Sequence, residues 1–406
     1  MSDGPAGFSR QAKALVLAVL LYLITVADSG PYSIVKAVVD ENISDLDDTF
    51  SRHLDLRLRP GRAINASDLK DAEVLLVRSV TRVDETLLTG SGIRFVGTAT
   101  IGTDHLDTAW LDQAGIAWAS APGSNADAAA QYTLGMILLA CRRLDRDPLN
   151  QRVGIIGHGN VGRRLYHLLD VLGLDCIVRD PPLAATGHLG DVTLEAALNC
   201  NVVCLHTPLI RGGRWPTAGM IDANALAAMP PGALLVNSAR GGVVEEAALQ
   251  AALDRNAVHA ALDVWPREPD IDPTLLEATT VASPHVAGYS LEGKSRGTRM
   301  IFEAFLRWAG QAQDGAPTSS DEDSPAESLD RSDSHDAIAD AVIAATRVER
   351  DDCRLREVSP LRQEVFDALR RAHAPRHEFS RIAVLAPAKA ETVLRGLGFG
   401  WVNKDV

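Results

Sequence analysis

The sequence predicts an α/β protein built on doubly wound, parallel sheets of the Rossmann type, and three observations lead to this prediction. Short apolar strand segments alternate with helical segments along most of the 406 residues, as in parallel sheets that are covered on both faces. A glycine-rich turn joins a strand to an amphipathic helix over Val153–Leu165. Polar residues directly follow several strands, where open α/β sheets bind their ligands.

Length and composition restrict the possible classes of protein. A chain of 406 residues is long enough for two or three domains. The net charge of −13 argues against a nucleic-acid-binding protein, which needs basic patches to contact phosphates. The five cysteines form no CxxC pair, so we expect a reducing compartment, no disulfide framework and no metal site.

The first 34 residues differ from the rest. Arg10 and Lys13 precede an apolar run, Ala14–Ala27, of fourteen residues. This is short for a bilayer span but suits the core of a signal peptide. We interpret residues 1–34 as an extension outside the functional protein, with Val35 as the native start and a cytoplasmic location. An export signal, or a membrane anchor over residues 15–26, is the alternative.

Residues 35–130 predict a first α/β domain. Three strands are expected, one within Ser33–Ile43 and the others within "AEVLLVRSVTRV" and "IRFVGTATIGTDHLD". A further strand in "GIAWAS" is followed by a turn at Pro122-Gly123 and a long helix, with Ser124 or Asn125 as its N-cap.

Residues 131–286 predict a second domain with a doubly wound parallel sheet. Six β-branched runs follow Gln151, separated by helical spacers: "RVGIIG", "DCIVRD", "NVVCLHT", "GALLVNSA", "AVHAALDVW" and "TTVASPH". The turn in "VGIIGHGNVGRRL" has the G-x-G-x-x-G pattern of dinucleotide sites, in which a helix N-terminus holds the pyrophosphate. Its residues are Gly157, Gly159, Asn160, Val161 and Gly162.

A carboxylate after the next strand points to NAD as the dinucleotide. Asp180 lies eighteen residues beyond Gly162, at the end of "CIVRD". A carboxylate at this place binds the adenine ribose hydroxyls and repels a 2′-phosphate, which favours NAD over NADP. The adjacent Arg179 weakens this preference. The alternative is a glycine-rich turn without a ligand.

Arg240, Glu268 and His285 follow three strands of the second domain. Singly, each has an ordinary interpretation: a surface cation, a solvated loop charge and a core histidine. Together, at the strand ends of one nucleotide-binding domain, they predict an active site. A histidine suits proton transfer near neutral pH, a carboxylate can fix its tautomer, and an arginine can bind a carboxylate in two-pronged fashion.

The last part of the chain predicts a linker and a small module. Residues 313–336 are rich in Ser, Asp and Pro, a composition that cannot bury enough apolar surface to order itself. Residues 337–406 predict an α+β module with helices in "AIADAVIAATRVERDD", "LRQEVFDALRRAH" and "AETVLRGLGF" and a strand in "RIAVLAP".

These stretches together resemble the D-isomer-specific 2-hydroxyacid dehydrogenases. The resemblance covers Lys36 to Val402 and rests on "VRSVT", "FVGTATIGTDHLD", "GNVGRRL", "HTPL", "LDVW" with "EPD", and "HVAGYSLEGK". It implies a flavodoxin-like substrate domain at 35–130 that is completed by a return segment at 287–312. The NAD-binding Rossmann domain at 131–286 is then an insertion, and the module at 337–406 is a dimerisation domain.

The resemblance also implies a reaction, the NAD-dependent oxidation of 4-phospho-D-erythronate at C2. His285 would take the hydroxyl proton, Glu268 would hold the imidazole, and Arg240 would bind the C1 carboxylate. The other implied residues contact a ligand. The implied cofactor contacts are Thr207, Ser238, Ala239, Asp263 and Gly288, of which Asp263 would contact the nicotinamide carboxamide. The implied substrate contacts are Ser79, Thr100 and Tyr289.

We also expect cationic side chains that bind the substrate phosphate and a surface that pairs two chains. Arg78 and Lys294 are candidates for the phosphate, as are Arg347 or Arg350 from a partner chain. In a homodimer, Val365, Leu369 and "IAVLA" would be buried between the chains; in a monomer they pack on their own domain. Two other functions stay open: a 3-phosphoglycerate or glycerate dehydrogenase, and an NAD-sensing corepressor-like scaffold without turnover.

Overall fold

The structure is a computed structural model of the chain. It describes residues 35–311, 325–332, 334, 336–358, 363–373 and 376–402. The apolar run in residues 14–27 therefore lies outside the described residues, as do most of the predicted linker and the last four residues of the chain. No helix within the described ranges is long and apolar enough to cross a membrane.

The first sheet has five parallel strands in the order β2-β1-β3-β4-β5, the flavodoxin-like order that the sequence analysis predicts. Its inner strands are buried on both faces: Val38, Leu75 and Val96 belong to one apolar cluster, and Val39, Leu76 and Phe95 belong to another on the opposite face. One strand, β2, was not predicted, although its "LDLRLR" alternation is typical of an edge strand. The strands are β1 Val35–Asp40, β2 Leu54–Arg59, β3 Val74–Val77, β4 Phe95–Thr98 and β5 Ala117–Ala119.

The second sheet has six parallel strands in the order β7-β6-β8-β9-β10-β11. The order reverses between β6 and β8, and a doubly wound sheet binds ligands beyond the strand ends at this reversal. All six predicted strands are present, so the fold class is confirmed. They are β6 Arg152–Ile156, β7 Asp175–Arg179, β8 Val202–Leu205, β9 Ala233–Asn237, β10 Val258–Leu262 and β11 Val281–Ala282.

Helices cover both sheets. The shorter ones connect strands, and several begin at an aspartate whose carboxylate accepts a backbone N–H, as at Asp84, Asp107 and Asp222. They are α1 Glu85–Leu88, α2 Thr108–Gln113, α3 Ala126–Arg143, α4 Asn160–Val171, α5 Pro181–Ala185, α6 Leu194–Leu198, α7 Ala223–Ala227, α8 Glu246–Asp254, α9 Pro273–Ala278 and α10 Leu291–Trp308.

Two long helices connect the two sheets. Helix α3 starts at the first sheet, and its middle is almost entirely buried against the second. Helix α10 returns to the first sheet, where Phe305 lies 5.6 Å from Phe50 and 5.9 Å from Phe95 between ring centroids. The strand ends of both sheets consequently face a common cleft between the two crossings.

The C-terminal module is a three-stranded parallel sheet, β12-β13-β14, with four helices. One part of the predicted linker was wrong: Glu327–Asp330 forms β12, which pairs in register with β13. A four-residue edge strand needs only one apolar anchor, here Leu329, so composition did not reveal it. The elements are β12 Glu327–Asp330, α11 Ala337–Thr346, α12 Val348–Glu357, α13 Gln363–Arg371, β13 Ile382–Leu385, α14 Ala388–Gly396 and β14 Gly400–Trp401.

The module packs on the nucleotide domain of its own chain. Helix α11 lies along α3 in one apolar cluster that also contains Ile382 and Val384. Polar contacts join the same faces: Tyr132 donates to Asp351 at 3.0 Å, and Arg376 donates to the carbonyl of Ala287 at 2.7 Å. The strand in "IAVLA" is thus buried within one chain, as in the monomeric alternative, while Val365 and Leu369 are half-buried.

Candidate active site

The glycine turn between β6 and α4 has the geometry of a pyrophosphate cradle. Gly157 has φ +98°, a conformation that L-residues avoid, and a Cβ there would lie 2.7 Å from the carbonyl of His206. A Cβ on Gly162 would lie 2.0 Å from the carbonyl oxygen of Gly157, so helix and strand touch at that point. No atom of the described residues lies within 4 Å of a Cβ on Gly159, which leaves room at the start of α4.

Polar groups around this turn suit a dinucleotide. The Thr207 hydroxyl is buried beside the turn and has no hydrogen-bond partner among the described residues. Asp180, at the end of β7, accepts the His158 N–H at 2.8 Å and the Leu183 N–H at 3.1 Å, which fixes the carboxylate at the rim. An open backbone cradle, a buried hydroxyl with unused bonding capacity and a fixed carboxylate fit NAD.

Other predicted cofactor residues lie around the same cleft. Ser238 follows β9 and shares a 2.7 Å hydrogen bond with Thr133 of α3, while the Ala239 N–H binds the side chain of Asn237. Asn160 begins α4 and accepts a hydrogen bond from Arg163. Val161 is partly buried against the core cluster. We keep these assignments as predictions.

The imidazole of His285 is bound to a carboxylate, as the sequence analysis predicts. Its Nδ1 lies 2.6 Å from Oε2 of Glu268, and the other oxygen of Glu268 accepts the Trp265 N–H at 2.8 Å. Burial raises the pKa of Glu268, but His285, the hydrogen bond from Trp265 and the guanidinium of Arg370 outweigh it and hold the pKa below its usual value. Glu268 is therefore ionised at neutral pH.

The backbone of His285 is itself constrained. Its φ is +56°, which is uncommon for a residue other than glycine and is found where tertiary contacts determine the backbone. The Asp263 carboxylate provides those contacts. It is 1% exposed and accepts hydrogen bonds from the Ser283 hydroxyl and from the N–H groups of Val286 and Ala287. The structure thus gives Asp263 a role in holding the histidine loop, which was not predicted.

Arg240 follows β9 and reaches a carboxylate of the first domain. Its Nε and Nη2 donate to Oδ2 of Asp104 at 2.9 and 2.8 Å, and its Nη1 donates to the carbonyl of Ala239 at 2.8 Å. Three of the five N–H groups of a guanidinium are used in this way, which leaves one on each terminal nitrogen. That pair suits a two-pronged contact with a substrate carboxylate.

The backbone brings the Arg240 loop beside the Glu268 loop. A Cβ on Gly241 would lie 2.1 Å from the Trp265 backbone, and the Trp265 N–H is the donor to Glu268. The structure therefore places Arg240, Glu268 and His285 in neighbouring loops at one edge of the second sheet.

The predicted substrate residues line one cavity, whose walls come from the first domain and its return segment. Ser79 follows β3, Thr100 follows β4 and Tyr289 precedes α10, and all three belong to its wall. Arg78 and Lys294 line the same cavity. Burial lowers the pKa of Lys294, and the nearby cations Arg78 and Arg376 lower it further.

Two further expectations stay predictions. A Cβ on Gly288 would collide with the Asn125 side chain at 2.3 Å, so packing on the start of α3 also requires glycine at this position. Arg347 and Arg350 line a groove on the C-terminal module, together with Arg142 of α3. Their predicted contact with the substrate is across to a partner chain.

Sequence reasoning missed two residues of the site. Asp104 lies in "TIGTDHLD" after β4, and its carboxylate at a strand end is the same signal that led to Asp180. Arg370 lies on α13, near Tyr289 and Glu268. No local pattern distinguishes it from the adjacent Arg371, because the packing of the module is what brings it beside Tyr289.

The fold and this site together define an NAD-dependent dehydrogenase. Residues 139–287 match the family described as D-isomer specific 2-hydroxyacid dehydrogenase, NAD binding domain. Among solved structures, D-lactate dehydrogenase from Aquifex aeolicus, complexed with NAD and lactic acid, is 22% identical with a TM-score of 0.59, over 68% of this chain and 96% of that one. NAD-bound 3-phosphoglycerate dehydrogenase from Entamoeba histolytica is 21% identical with a TM-score of 0.57, over 70% and 100%.

Curated relatives extend further along the chain. Erythronate-4-phosphate dehydrogenase of Enterobacter sp. (strain 638) is 41% identical over 378 residues, which are 91% of this chain and 99% of that protein. The enzyme of the same name from Pseudomonas entomophila (strain L48) is 52% identical over 279 residues, 68% of this chain and 73% of that protein. The chain belongs to the erythronate-4-phosphate dehydrogenase family of the D-isomer-specific 2-hydroxyacid dehydrogenases.

Proposed function

We propose that the protein oxidises 4-phospho-D-erythronate to (R)-3-hydroxy-2-oxo-4-phosphooxybutanoate, with NAD as the acceptor, in pyridoxal 5′-phosphate (vitamin B6) biosynthesis. The observation that carries the proposal is the 2.6 Å contact between His285 and Glu268, in a loop beside that of Arg240. Tyr289, four residues after His285, lines a cavity together with Ser79 and Thr100. The names of the relatives support the choice of substrate.

His285, Glu268 and Arg240 have different roles in the reaction at C2 of the substrate. Because Nδ1 of His285 is bound to Glu268, its Nε2 is the nitrogen that accepts the proton of the C2 hydroxyl. Glu268 fixes the tautomer and stabilises the imidazolium that forms. Arg240 binds the C1 carboxylate through its two remaining N–H groups and attracts the developing C2 carbonyl oxygen. Bound NAD supplies the two-electron acceptor for the hydrogen on C2.

The cofactor side is proposed to use backbone and rim groups. The start of α4, from Gly159 to Gly162, would hold the pyrophosphate, and Asp180 would bind the adenine ribose. Thr207, Ser238 and Ala239 would line the nicotinamide end. Asp263 would act chiefly as a positioning residue, because its carboxylate already accepts three hydrogen bonds from the histidine loop.

Assembly and location are part of the same proposal. We place the protein in the cytoplasm as a homodimer that pairs through the C-terminal module. Support comes from the groove of that module, which carries both signs of charge, among them Arg331, Asp340, Glu349 and Arg350. A surface of mixed charge can be complementary to its own copy across a two-fold axis. Light scattering coupled to size exclusion tests this directly, and a monomer at micromolar concentration would contradict it.

A substrate comparison tests the function. We expect NADH formation with 4-phospho-D-erythronate at a kcat/KM roughly 100-fold above that with 3-phosphoglycerate or D-glycerate. D-Glycerate lacks the phosphate, and 3-phosphoglycerate is one carbon shorter, so it lacks the C3 hydroxyl and holds its phosphate closer to C2. Comparable values for all three acids would favour a broader dehydrogenase. Tight NAD binding without turnover of any acid would favour the corepressor-like scaffold.

A further inference from the structure

A second chamber of about 300 Å³ lies beside the substrate cavity. Asn42, Arg78, Tyr289 and Lys294 line both spaces, so the two share a wall. The substrate cavity also contains Ser79 and Thr100, and the second chamber contains Asp367, Arg370 and Arg371 of α13. The C-terminal module therefore contributes side chains to a space next to the substrate cavity of its own chain.

This chamber is cationic in an otherwise acidic protein. The chain has a net charge of −13, yet the chamber is lined by five cations and two carboxylates. One of the carboxylates, Asp367, is bound by Arg62 at 2.7 Å. Arg78 is bound by the fully buried Asp40 at 3.2 Å. Lys294 and Arg370 have no ion-pair partner among the described residues, so the chamber retains positive charge that can bind an anion.

Lys294 and Arg370 both lie over the ring of Tyr289. The Lys294 ammonium is 4.9 Å from the ring centroid, and the Arg370 guanidinium carbon is 5.7 Å from it. The Nε of Arg370 is buried and has no hydrogen-bond partner in the part of the chain that the structure describes. A buried N–H donor of a charged group normally has a partner. Burial lowers the pKa of Arg370, but the nearby groups Tyr289, Glu268, Asp263 and Asp367 outweigh burial. The pKa is therefore raised above its usual value, and the guanidinium is charged.

We propose that Arg370 is a substrate-binding residue that, with Lys294 and Arg78, binds the phosphate of the substrate and makes the enzyme specific for phosphorylated acids. The inference rests on the proposed function and adds to it a residue from the C-terminal module, supplied by the same chain. A guanidinium fork matches phosphate oxygens, and desolvation strengthens the contact. Arg370 is close enough to Glu268 for its charge to lower the pKa of that carboxyl, so a phosphate held by Arg370 would lie near the histidine loop.

The proximity of Arg370 to Glu268 offers a second explanation, which the test must separate. If Arg370 only stabilised the carboxylate of Glu268, its removal would lower kcat and change the pH profile of kcat. If it binds phosphate, its removal raises KM and leaves kcat nearly unchanged. Inorganic phosphate is a probe of the second role alone, because it carries the recognised group without the reacting carbon.

The experiment compares Arg370→Gln and Arg370→Lys with the unmodified protein and with Arg395→Gln. Arg395 pairs with Glu391 on the exposed face of α14, so it serves as the control. Two quantities are measured on the NAD-loaded full chain: KM and kcat for 4-phospho-D-erythronate, and the Kd of inorganic phosphate by calorimetry. Thermal unfolding checks that each variant is folded.

We expect Arg370→Gln to raise both KM and the phosphate Kd roughly 10- to 100-fold, with kcat changed by less than about 3-fold. For Arg370→Lys we expect a KM and a phosphate Kd between those of the unmodified protein and Arg370→Gln, because lysine keeps the charge but loses the two-pronged guanidinium contact. Unchanged phosphate affinity in a folded Arg370→Gln protein overturns the proposal, as does a fall in kcat at constant KM. If the unmodified chain does not oxidise 4-phospho-D-erythronate, the proposed function fails, while the phosphate titration still decides the role of Arg370.

Discussion

The two sides of the cleft are built in different ways. On the cofactor side, six consecutive residues, Gly157–Gly162, form the cradle, and they contribute mainly backbone. On the substrate side, single side chains come from segments that are far apart in sequence, from Ser79 and Thr100 to Tyr289 and Arg370. A cofactor shared by many enzymes is thus bound by a local motif, and a particular substrate by tertiary packing. The two sides should therefore respond independently to substitution.

Among the substitutions that test this independence, we expect Glu268→Gln to have the largest effect on the reaction rate. The amide keeps the shape of the side chain but removes the charge that stabilises the imidazolium of His285. We expect kcat to fall roughly 100-fold or more, while the Kd of NAD stays within a factor of about two. Steady-state kinetics and NADH fluorescence titration measure the two quantities. A matching loss of NAD affinity would mean that the two sides are not independent.

A substitution that should affect the cofactor side and not the catalytic residues is Gly159→Ala. The added methyl meets no atom of the described residues within 4 Å, and Gly159 has an extended backbone with φ −73°, which alanine accepts. Thermal unfolding should not change, but the methyl would crowd a pyrophosphate, and NAD affinity should fall roughly 10-fold.

Gly162→Ala is the matched control for that variant. Its methyl would lie 2.0 Å from the carbonyl oxygen of Gly157. We expect it to destabilise the fold by about 1–3 kcal/mol in urea unfolding, as overpacking does. If Gly159→Ala also unfolded at a lower urea concentration than the unmodified protein, glycine at position 159 would be required for stability rather than for ligand binding.

A smaller effect is expected where the domains meet, from Asp104→Asn. Asp104 orients Arg240 by two hydrogen bonds across the cleft. The amide oxygen accepts them more weakly, so we expect kcat/KM to fall about 10-fold, chiefly through KM. The substrate panel should keep its order of preference. A gain in kcat/KM would show instead that Asp104 competes with the substrate carboxylate for Arg240.

The smallest effect concerns stability and pH. Burial lowers the pKa of His105 from 6.5 to about 4, although Asp104 raises it and Arg240 lowers it further. The unfolded chain then binds a proton that the folded chain excludes, so stability falls as the pH drops from about 6.5 towards 4. Between pH 7.5 and 5 this histidine should account for about 1–2 kcal/mol of the loss. Urea unfolding of His105→Asn should show a shallower pH slope; an identical slope would exclude His105 as a source.

The same contrast explains how much was predictable. Strands with continuous apolar runs, such as "RVGIIG", and the glycine turn are local signals, so the Rossmann fold and the NAD site followed from the sequence. Arg240, Glu268 and His285 were found because each follows a strand whose end lies at the ligand edge of the sheet. The partner of Arg240, Asp104, was missed because it belongs to the other domain.

Residues that depend on the C-terminal module were the hardest to predict. Strand β12, Glu327–Asp330, pairs with β13 and packs Leu329 on the core, although its own composition is that of a linker. Arg370 is one of two adjacent arginines on the amphipathic helix α13, and the docking of that helix brings it beside Tyr289. The packing of Gly288 against Asn125, distant in sequence, could not be read from the local pattern either.

The central claim is that the imidazole of residue 285 transfers a proton at the reacting carbon and takes no part in holding the cofactor. The most direct measurement is single-turnover NADH formation by His285→Ala at saturating 4-phospho-D-erythronate, together with the Kd of NAD for the same variant. We predict a rate roughly 1000-fold lower, with NAD affinity within a factor of about two of the unmodified protein. A rate close to that of the unmodified protein, or a loss of NAD binding that accounts for the lost rate, would contradict the claim.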